Sequence, residues 1–434
     1  MTETQTIQST PTHVPTIPVS STSSLVAVLA RRYAQNVVGV SEPSRSFLVP
    51  VMVHLHPARR ILRVIYACCG ATLMLIVFLT SFSGQFTNLM KERKITARLE
   101  AESATISSNL PVFGNWSLSH SRTLVVASTA DQDTEWVNTE LGDDPSLATR
   151  IYVVDNTSSR YSVPVNKGHE AMVYLTHVIN EYEDLSDITL FVHAHQFAWH
   201  NNDLQNRDTA EMVRYLSSDY VIRNGYVNLR CHHDPGCPPH IFPYETSFNA
   251  EHPETAVIGL AWSELFPDDQ IPTSLAQPCC AQVAVTRQII QAVPRQRYVE
   301  LRGWLIDTEL DDGLSGRVFE YIWQYIWGQG YQYCPSQHLC YCDGYGICFG
   351  GEEQYSSYDR FKNIAVEIGS VLGTSGPAAD SSTATSQARE VLSKVKSDIE
   401  TQLAIWTSLA HARGKELRNR AFEAGRPWTL VGDA

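Results

Sequence analysis

Positive charge is scarce in this chain. Its 434 residues hold 33 Lys and Arg against 46 Asp and Glu, a formal net charge of −13 with histidine neutral. Proteins that bind nucleic acid usually present a basic face, so that class is set aside. Charged residues make up only 18%, yet 43% hydrophobic and 10% aromatic residues are too many for a chain disordered throughout. A mean hydropathy of −0.17 is too low for a transporter with several spans. Internal repeats are absent. No apolar stretch sits where a cleaved signal peptide would, because the first one starts some 60 residues in. The length allows two or three domains and a sizeable core.

Long runs that are both uncharged and apolar are rare too, with one exception. From Val64 to Phe82, 19 residues rich in Leu, Ile, Val and Phe pass without a charge. A helix of that length rises about 28 Å, close to the hydrocarbon thickness of a bilayer. The run predicts one transmembrane helix over 61–84; a core helix would normally show a polar face. Residues 1–60, crowded with Ser, Thr and Pro over 2–23, read as a disordered cytosolic tail. The sequons at Asn115 and Asn156 both follow the helix, as do eight of the ten cysteines. Residues 1–63 carry six Arg against Glu3 and Glu42, a net +4, which leaves −17 on the remainder. The joint expectation is a type II single-pass membrane protein of the secretory pathway (Golgi, endoplasmic reticulum or plasma membrane), with its bulk luminal or extracellular. Cys68 and Cys69 would pack in the anchor, with palmitoylation the lesser reading.

Residues 85–120 look like a stem, and the globular part is expected over 121–350. Arg122–Ala127, Ala148–Val154 and Ile188–His193 read as strands; Glu170–Tyr182 has helical periodicity. Strands and helices alternating at these lengths predict an α/β domain with a mostly parallel sheet and flanking helices, its ligand site at the carboxyl ends of the strands. Further helices are expected at Asp208–Ser218, Thr286–Ala292 and Gly316–Trp327, and one over 351–373. A linker over 374–386 then precedes an amphipathic helix over 387–425, whose stripe runs through Ala388, Val391, Val395, Ile399, Leu403 and Trp406. That stripe would dock on the domain or pair with a partner helix.

Four places could carry chemistry. Asp155 ends the second strand, where a carboxylate can bind ribose or base donors; an Asx turn explains it equally. Asn166, Lys167 and Gly168 precede a helix whose amino terminus could hold phosphate, or they simply start a capped helix. His193 and His195 alternate by two, so on a strand they would share a face, with His200 closing from the loop. Neutral imidazoles in that arrangement suit zinc or manganese; packed, hydrogen-bonded histidines are the plain alternative. Last come Arg287 with Asp307, Asp311, Arg317 and Glu320, which offer a pyrophosphate clamp and a general base or only a structural Arg317–Glu320 pair.

The cysteines read as staples. Cys231-x5-Cys237 and the run Cys334, Cys340, Cys342, Cys348 look like small disulfide-closed loops, with a zinc knuckle over 334–348 as the alternative. Cys279 and Cys280, being adjacent, are expected to pair with other partners.

Over about 122–350 the segments IYVVDN, NKGHEAMVYLTHVI, LFVHAHQFAWHN, YVNLRC, CCAQVAVTR, SGRVFEYIW and CPSQHLCYCDGYGIC resemble, in order, a fungal family classed as a domain of unknown function. His169, Asn156 and Gln324 depart from it, where arginine, a second aspartate and histidine are more usual. The order of elements is similar to the nucleotide-sugar half of GT-A glycosyltransferases, with His193-Ala194-His195 standing where Asp-x-Asp would be. The resemblance implies a metal bracing a diphosphate leaving group, Asp155 on uridine or ribose, and a base among Asp307, Asp311 and Glu320. A nucleotide-sugar donor and a glycan acceptor would be the substrates. Two rivals stay open: a metal-dependent hydrolase or oxidoreductase using His193, His195 and His200, and a non-catalytic binding or assembly protein on a transferase-like scaffold.

Overall fold

The computed structural model describes residues 120–247, 252–374 and 383–427. The expected tail, the transmembrane helix over 61–84, nearly all of the stem and the Asn115 sequon lie outside the described residues. Among the described residues no helix is long and apolar enough to cross a membrane.

The strands are β1 (Arg122–Ser128), β2 (Leu147–Val153), β3 (Ile188–His193), β4 (Tyr226–Asn228) and β5 (Val283–Thr286). They form one sheet in the order β2-β1-β3-β5-β4. β1 pairs with β2 and β3 in parallel, while β5 runs antiparallel to both β3 and β4. The sheet is therefore mixed, with half its pairings antiparallel, rather than mostly parallel. Alternation along β1 splits the core into two layers. Leu124 and Val126 pack with α1 (Glu135–Leu141), α3 (Thr209–Tyr215), α4 (Ser218–Asn224) and the cysteine-rich segment. Val125 faces the opposite layer, of α2 (Glu170–Glu181), α5 (Thr255–Leu265), α7 (Arg295–Asp307) and α8 (Asp312–Glu320). Both faces are covered, which is why β1 and β3 read as unbroken apolar runs rather than alternating ones.

Two short helices complete the second layer, α6 (Arg287–Ala292) and α9 (Trp323–Ile326). The single helix expected over Gly316–Trp327 is in fact α8 and α9, broken at Tyr321 and Ile322. Trp323 and Trp327 stack at 4.7 Å between ring centroids, and Trp327 continues onto Phe191 of β3 at 5.7 Å. Gln324 is buried among them. Its amide donates to the Tyr321 carbonyl at 2.7 Å, so the position serves the core and not the site.

The carboxyl-terminal part is a helical hairpin, α10 (Glu352–Thr374) and α11 (Thr383–Gly414), followed by α12 (Leu417–Glu423). α11 begins within the expected linker, and the last helix ends its run at Gly414 instead of continuing to 425. The reason is a close backbone approach: a Cβ on Gly414 would lie 1.8 Å from the Gly346 carbonyl oxygen. Lower in the stripe, Ile399 is buried and Leu403 and Trp406 pack against the domain core. Higher up, Val391 is 59% exposed, as is much of Val366 on the facing helix (63%). The stripe thus docks on the domain along its lower half.

Four disulfides hold the loops. Cys231–Cys340 and Cys237–Cys334 span 109 and 97 residues, so neither closes the small loop expected from spacing; only Cys342–Cys348 does. Both long bridges lace the segment after β4 to the cysteine-rich segment. With these sulfurs bonded, the segment 334–348 has no free thiolates for a zinc knuckle. Cys279 and Cys280 pair with each other, contrary to expectation. The other six cysteines of the described residues are matched in the remaining three bridges, and the turn puts Cys280 and Ala281 at φ +79° and +48°.

Candidate active site

The carboxyl ends of β1, β2 and β3 lie together because those strands are parallel. Asp155, exposed just past β2, accepts a hydrogen bond from the Ala130 backbone N–H at 2.8 Å and so joins the loops after β1 and β2. Asn156 follows in an Asx turn, its side chain accepting from Ser158 N–H at 3.0 Å. That leaves the asparagine of the sequon exposed.

The loop from β2 then delivers the amino terminus of α2. Asn166 is exposed at its approach. Lys167 does not point to a phosphate position: its ammonium donates to the carbonyls of Ile306 and Thr308, capping the carboxyl end of α7. Gly168 has φ +75°, and a Cβ there would meet Leu305 Cδ1 at 2.5 Å, so only glycine lets α2 sit against α7. His169 takes φ +50° without being glycine, held by Asp312 through its N–H and its Nε2, each at 3.2 Å. Glu170 is the first helical residue and turns inward.

β3 ends at His193, two residues short of His195, so the expected alternation does not apply. His195 therefore lies in the following loop, exposed, and does not share a strand face with His193. His193 and His200 do meet, edge to face at 5.0 Å between centroids. Gln282, just before β5, organises them: its Oε1 accepts from His193 N–H at 3.2 Å, and its amide contacts His200 Nδ1 at 3.3 Å. Burial holds the imidazoles of His193 and His200 neutral, at about 4 and about 3 respectively. The three histidines do not form a set of ligand atoms within 4.8 Å of one another. Among the described residues the triads that do are Cys279–Cys280–Glu320 and Cys342–Cys348–Glu423, and their sulfurs are in disulfides.

Two carboxylates complete the centre. Glu170 Oε2 lies 3.8 Å from His193 Nε2, an imidazole nitrogen that has no hydrogen-bond partner. Glu320, at the end of α8, accepts from the Cys280 backbone N–H at 2.6 Å. Burial pushes each carboxyl up to about 7, and the charge of Glu170 adds to the rise at Glu320. Asp307 and Asp311, by contrast, are exposed. Asp307 ends α7, and Asp311 caps α8 by accepting from Leu314 N–H at 2.8 Å.

The antiparallel course of β5 decides where its neighbours fall. Thr286 pairs with Ile188 and Val283 with Phe191, so the residues before β5 reach the site and those after it do not. Arg287 sits at the far end of the sheet, paired with Asp187, and is no pyrophosphate clamp. Arg317 pairs with buried Glu254 at 3.0 Å, and its expected pairing with Glu320 is not made. The cation that does reach the site is Arg230, in the loop after β4. Its guanidinium stacks over Trp199 at 5.5 Å, and Nη1 touches Cys279 Sγ at 2.6 Å. Its Nε has no partner, and burial lowers it to about 10. Trp199 is 62% exposed, and Phe197 in the same loop is 64% exposed. Glu170 and Arg230 were visible only as a helix start and a member of YVNLRC; no local pattern marks either as a site residue.

A second space of about 610 Å³ lies away from this centre, between α11 and the loop that precedes α3. Asp203, Glu211, Tyr345, Tyr358, His411 and Arg420 help line it.

The architecture is that of a mixed α/β protein with disulfide-laced loops and a polar centre at its strand ends. Residues 124–343, just over half of the chain, match the family described as "Protein of unknown function (DUF3431)", and the chain belongs to that family. No curated protein and no solved structure matches it.

Proposed function

We propose that the chain is a glycosyl-transferring enzyme of the GT-A kind, with Glu320 as general base. The observation that carries this is the convergence of Glu170, Glu320 and His193 at the strand ends. Two carboxyls that each titrate near neutrality exchange protons readily at physiological pH. Glu320 takes the proton of an acceptor hydroxyl, and the Cys280 N–H keeps its carboxylate oriented. Glu170, with its proton retained, stays neutral beside His193 and lets one negative charge rather than two occupy the centre. Arg230, rather than Arg287, supplies positive charge for a diphosphate leaving group. Asp155 and the Trp199 face form the rim where a nucleotide-sugar donor is held. The three histidines do not assemble as one ligand set, and these roles fall to the protein's own side chains.

Four disulfides support an oxidising luminal or extracellular setting for the domain. The purified full chain, screened by thermal shift against nucleotide sugars with and without manganese or zinc, tests the reading. Stabilisation by one donor, with donor turnover abolished in E320Q, is the expected result. Metal binding without nucleotide binding would favour the hydrolase or oxidoreductase. No ligand effect, with an E170Q/E320Q chain that folds and functions normally, would leave the non-catalytic scaffold.

A further inference from the structure

The Cys279–Cys280 bridge differs from the other three in how its two sulfurs are placed. Cys279 is 3% exposed and its Sγ lies 2.6 Å from Arg230 Nη1; Cys280 is half-buried, its Sγ 3.7 Å from the same nitrogen. Thiol–disulfide exchange needs a reachable sulfur to attack and a stabilised thiolate to leave. This bridge offers both, on different residues. Cys231–Cys340 is buried at both ends, as is Cys342–Cys348. Cys237–Cys334 has an exposed end at Cys334, but its other sulfur faces the Tyr333 carbonyl oxygen at 3.8 Å, which repels a leaving thiolate.

We propose that Cys279–Cys280 is a thiol–disulfide exchange site whose co-substrate is a dithiol. One thiolate of the dithiol attacks Cys280 Sγ. The S–S bond breaks, and its electron pair leaves on Cys279 Sγ, where the Arg230 guanidinium holds the new thiolate. The second thiol of the co-substrate then displaces Cys280 from the mixed disulfide. The dithiol ends as a disulfide, its two electrons and two protons now on the protein thiols. Opening the bridge frees a turn that does two things at the site. Cys280 N–H orients Glu320, and Gln282, two residues on, positions His193 and His200. The exchange chemistry stands without the glycosyl-transfer reading; only its consequence for Glu320 rests on that reading.

The test is reduction of the full chain by graded dithiothreitol, followed by alkylation and peptide mass mapping. Cys279 and Cys280 should be alkylated at ratios that leave the other three bridges closed, and R230Q should slow that step about tenfold. Opening no earlier than Cys231–Cys340 would overturn the proposal, as would an unchanged rate in R230Q. Should R230Q fail to fold, C280A provides the second measurement, through the ultraviolet thiolate absorbance of Cys279. Its titration midpoint should fall below that of a free thiol, about 8.5; a midpoint at or above that value would overturn the proposal. Donor turnover, where it is found, should fall on reduction and recover on reoxidation. Selective opening with unchanged turnover would keep the exchange site and remove its link to Glu320.

Discussion

Replacing Glu320 by glutamine keeps an acceptor for the Cys280 N–H and removes the charge. The wild-type carboxyl is raised from 4.5 to about 7, mainly by burial, with Glu170 adding to it. Between those two pH values the folded protein binds a proton that the unfolded chain has already lost. Its stabilising contribution is therefore complete below about 4.5 and is lost as pH rises through 7. At 1.36 kcal/mol per pK unit the loss comes to about 3 kcal/mol. E320Q, which cannot ionise, does not suffer it. Relative to wild type, the variant should gain about 3 kcal/mol in going from pH 4.5 to pH 8, or roughly 5–10 °C in Tm. Urea denaturation without reductant, at several pH values, measures this directly. Parallel stability profiles for wild type and E320Q from pH 5 to pH 8 would refute the account of a buried, charge-averse carboxylate. The centre would then have to be wetter, and Glu320 a poorer base, than argued above.

Other perturbations report on the parts that hold this centre in place. Gly168→Ala meets both an unfavourable φ and Leu305, and should cost about 2 kcal/mol in urea unfolding. Asp343→Ala removes the buried carboxylate that Arg223 and Arg426 contact at 3.0 and 2.8 Å. About 3 kcal/mol should be lost, and amide exchange in Leu417–Glu423 should quicken more than exchange in β1. His338 is raised above its ordinary value by Glu423 first and Glu352 next, against an opposing effect of burial. Its contribution is complete below the ordinary histidine value and fades as pH rises past the raised one. H338Q should accordingly weaken α12 docking at pH 6 more than at pH 9, read by the same amide exchange; an equal effect at both would show that the imidazole charge is not what holds the helix.

Local pattern carried β1, β3 and α2, because strands covered on both faces and a helix with a long apolar stripe announce themselves over six to twelve residues; the edge strand β2 was legible too, though only partly buried. Pairing direction is not local. Nothing in VAVT says that β5 runs antiparallel to β3, and this one fact moved Arg287 to the far end of the sheet and brought Cys280 and Gln282 to the near one. His195 shows the same limit at smaller scale: two-residue spacing implies a shared face only while the strand lasts, and β3 stops at His193. Cysteine spacing misled because disulfides follow folded proximity, and Cys231 and Cys340, 109 residues apart in sequence, are neighbours only in the fold. Glu320 was legible as a candidate among four charged neighbours. Its partner Glu170 was not, since a glutamate in the first turn of a helix is ordinary until the tertiary fold buries it.

The chain enters the described domain at the foot of β1, where Ser121 N–H and Oγ are held by Asp187 at 2.9 and 2.8 Å. β1 is interior to the sheet, hydrogen-bonded on both edges by parallel neighbours. A force applied through the preceding segment would thus act along a strand that must slide past two ladders at once, not peel from an edge. Such a domain resists pulling from its amino-terminal side, and its polar centre lies a strand's length away, at the opposite ends of β1 and β3.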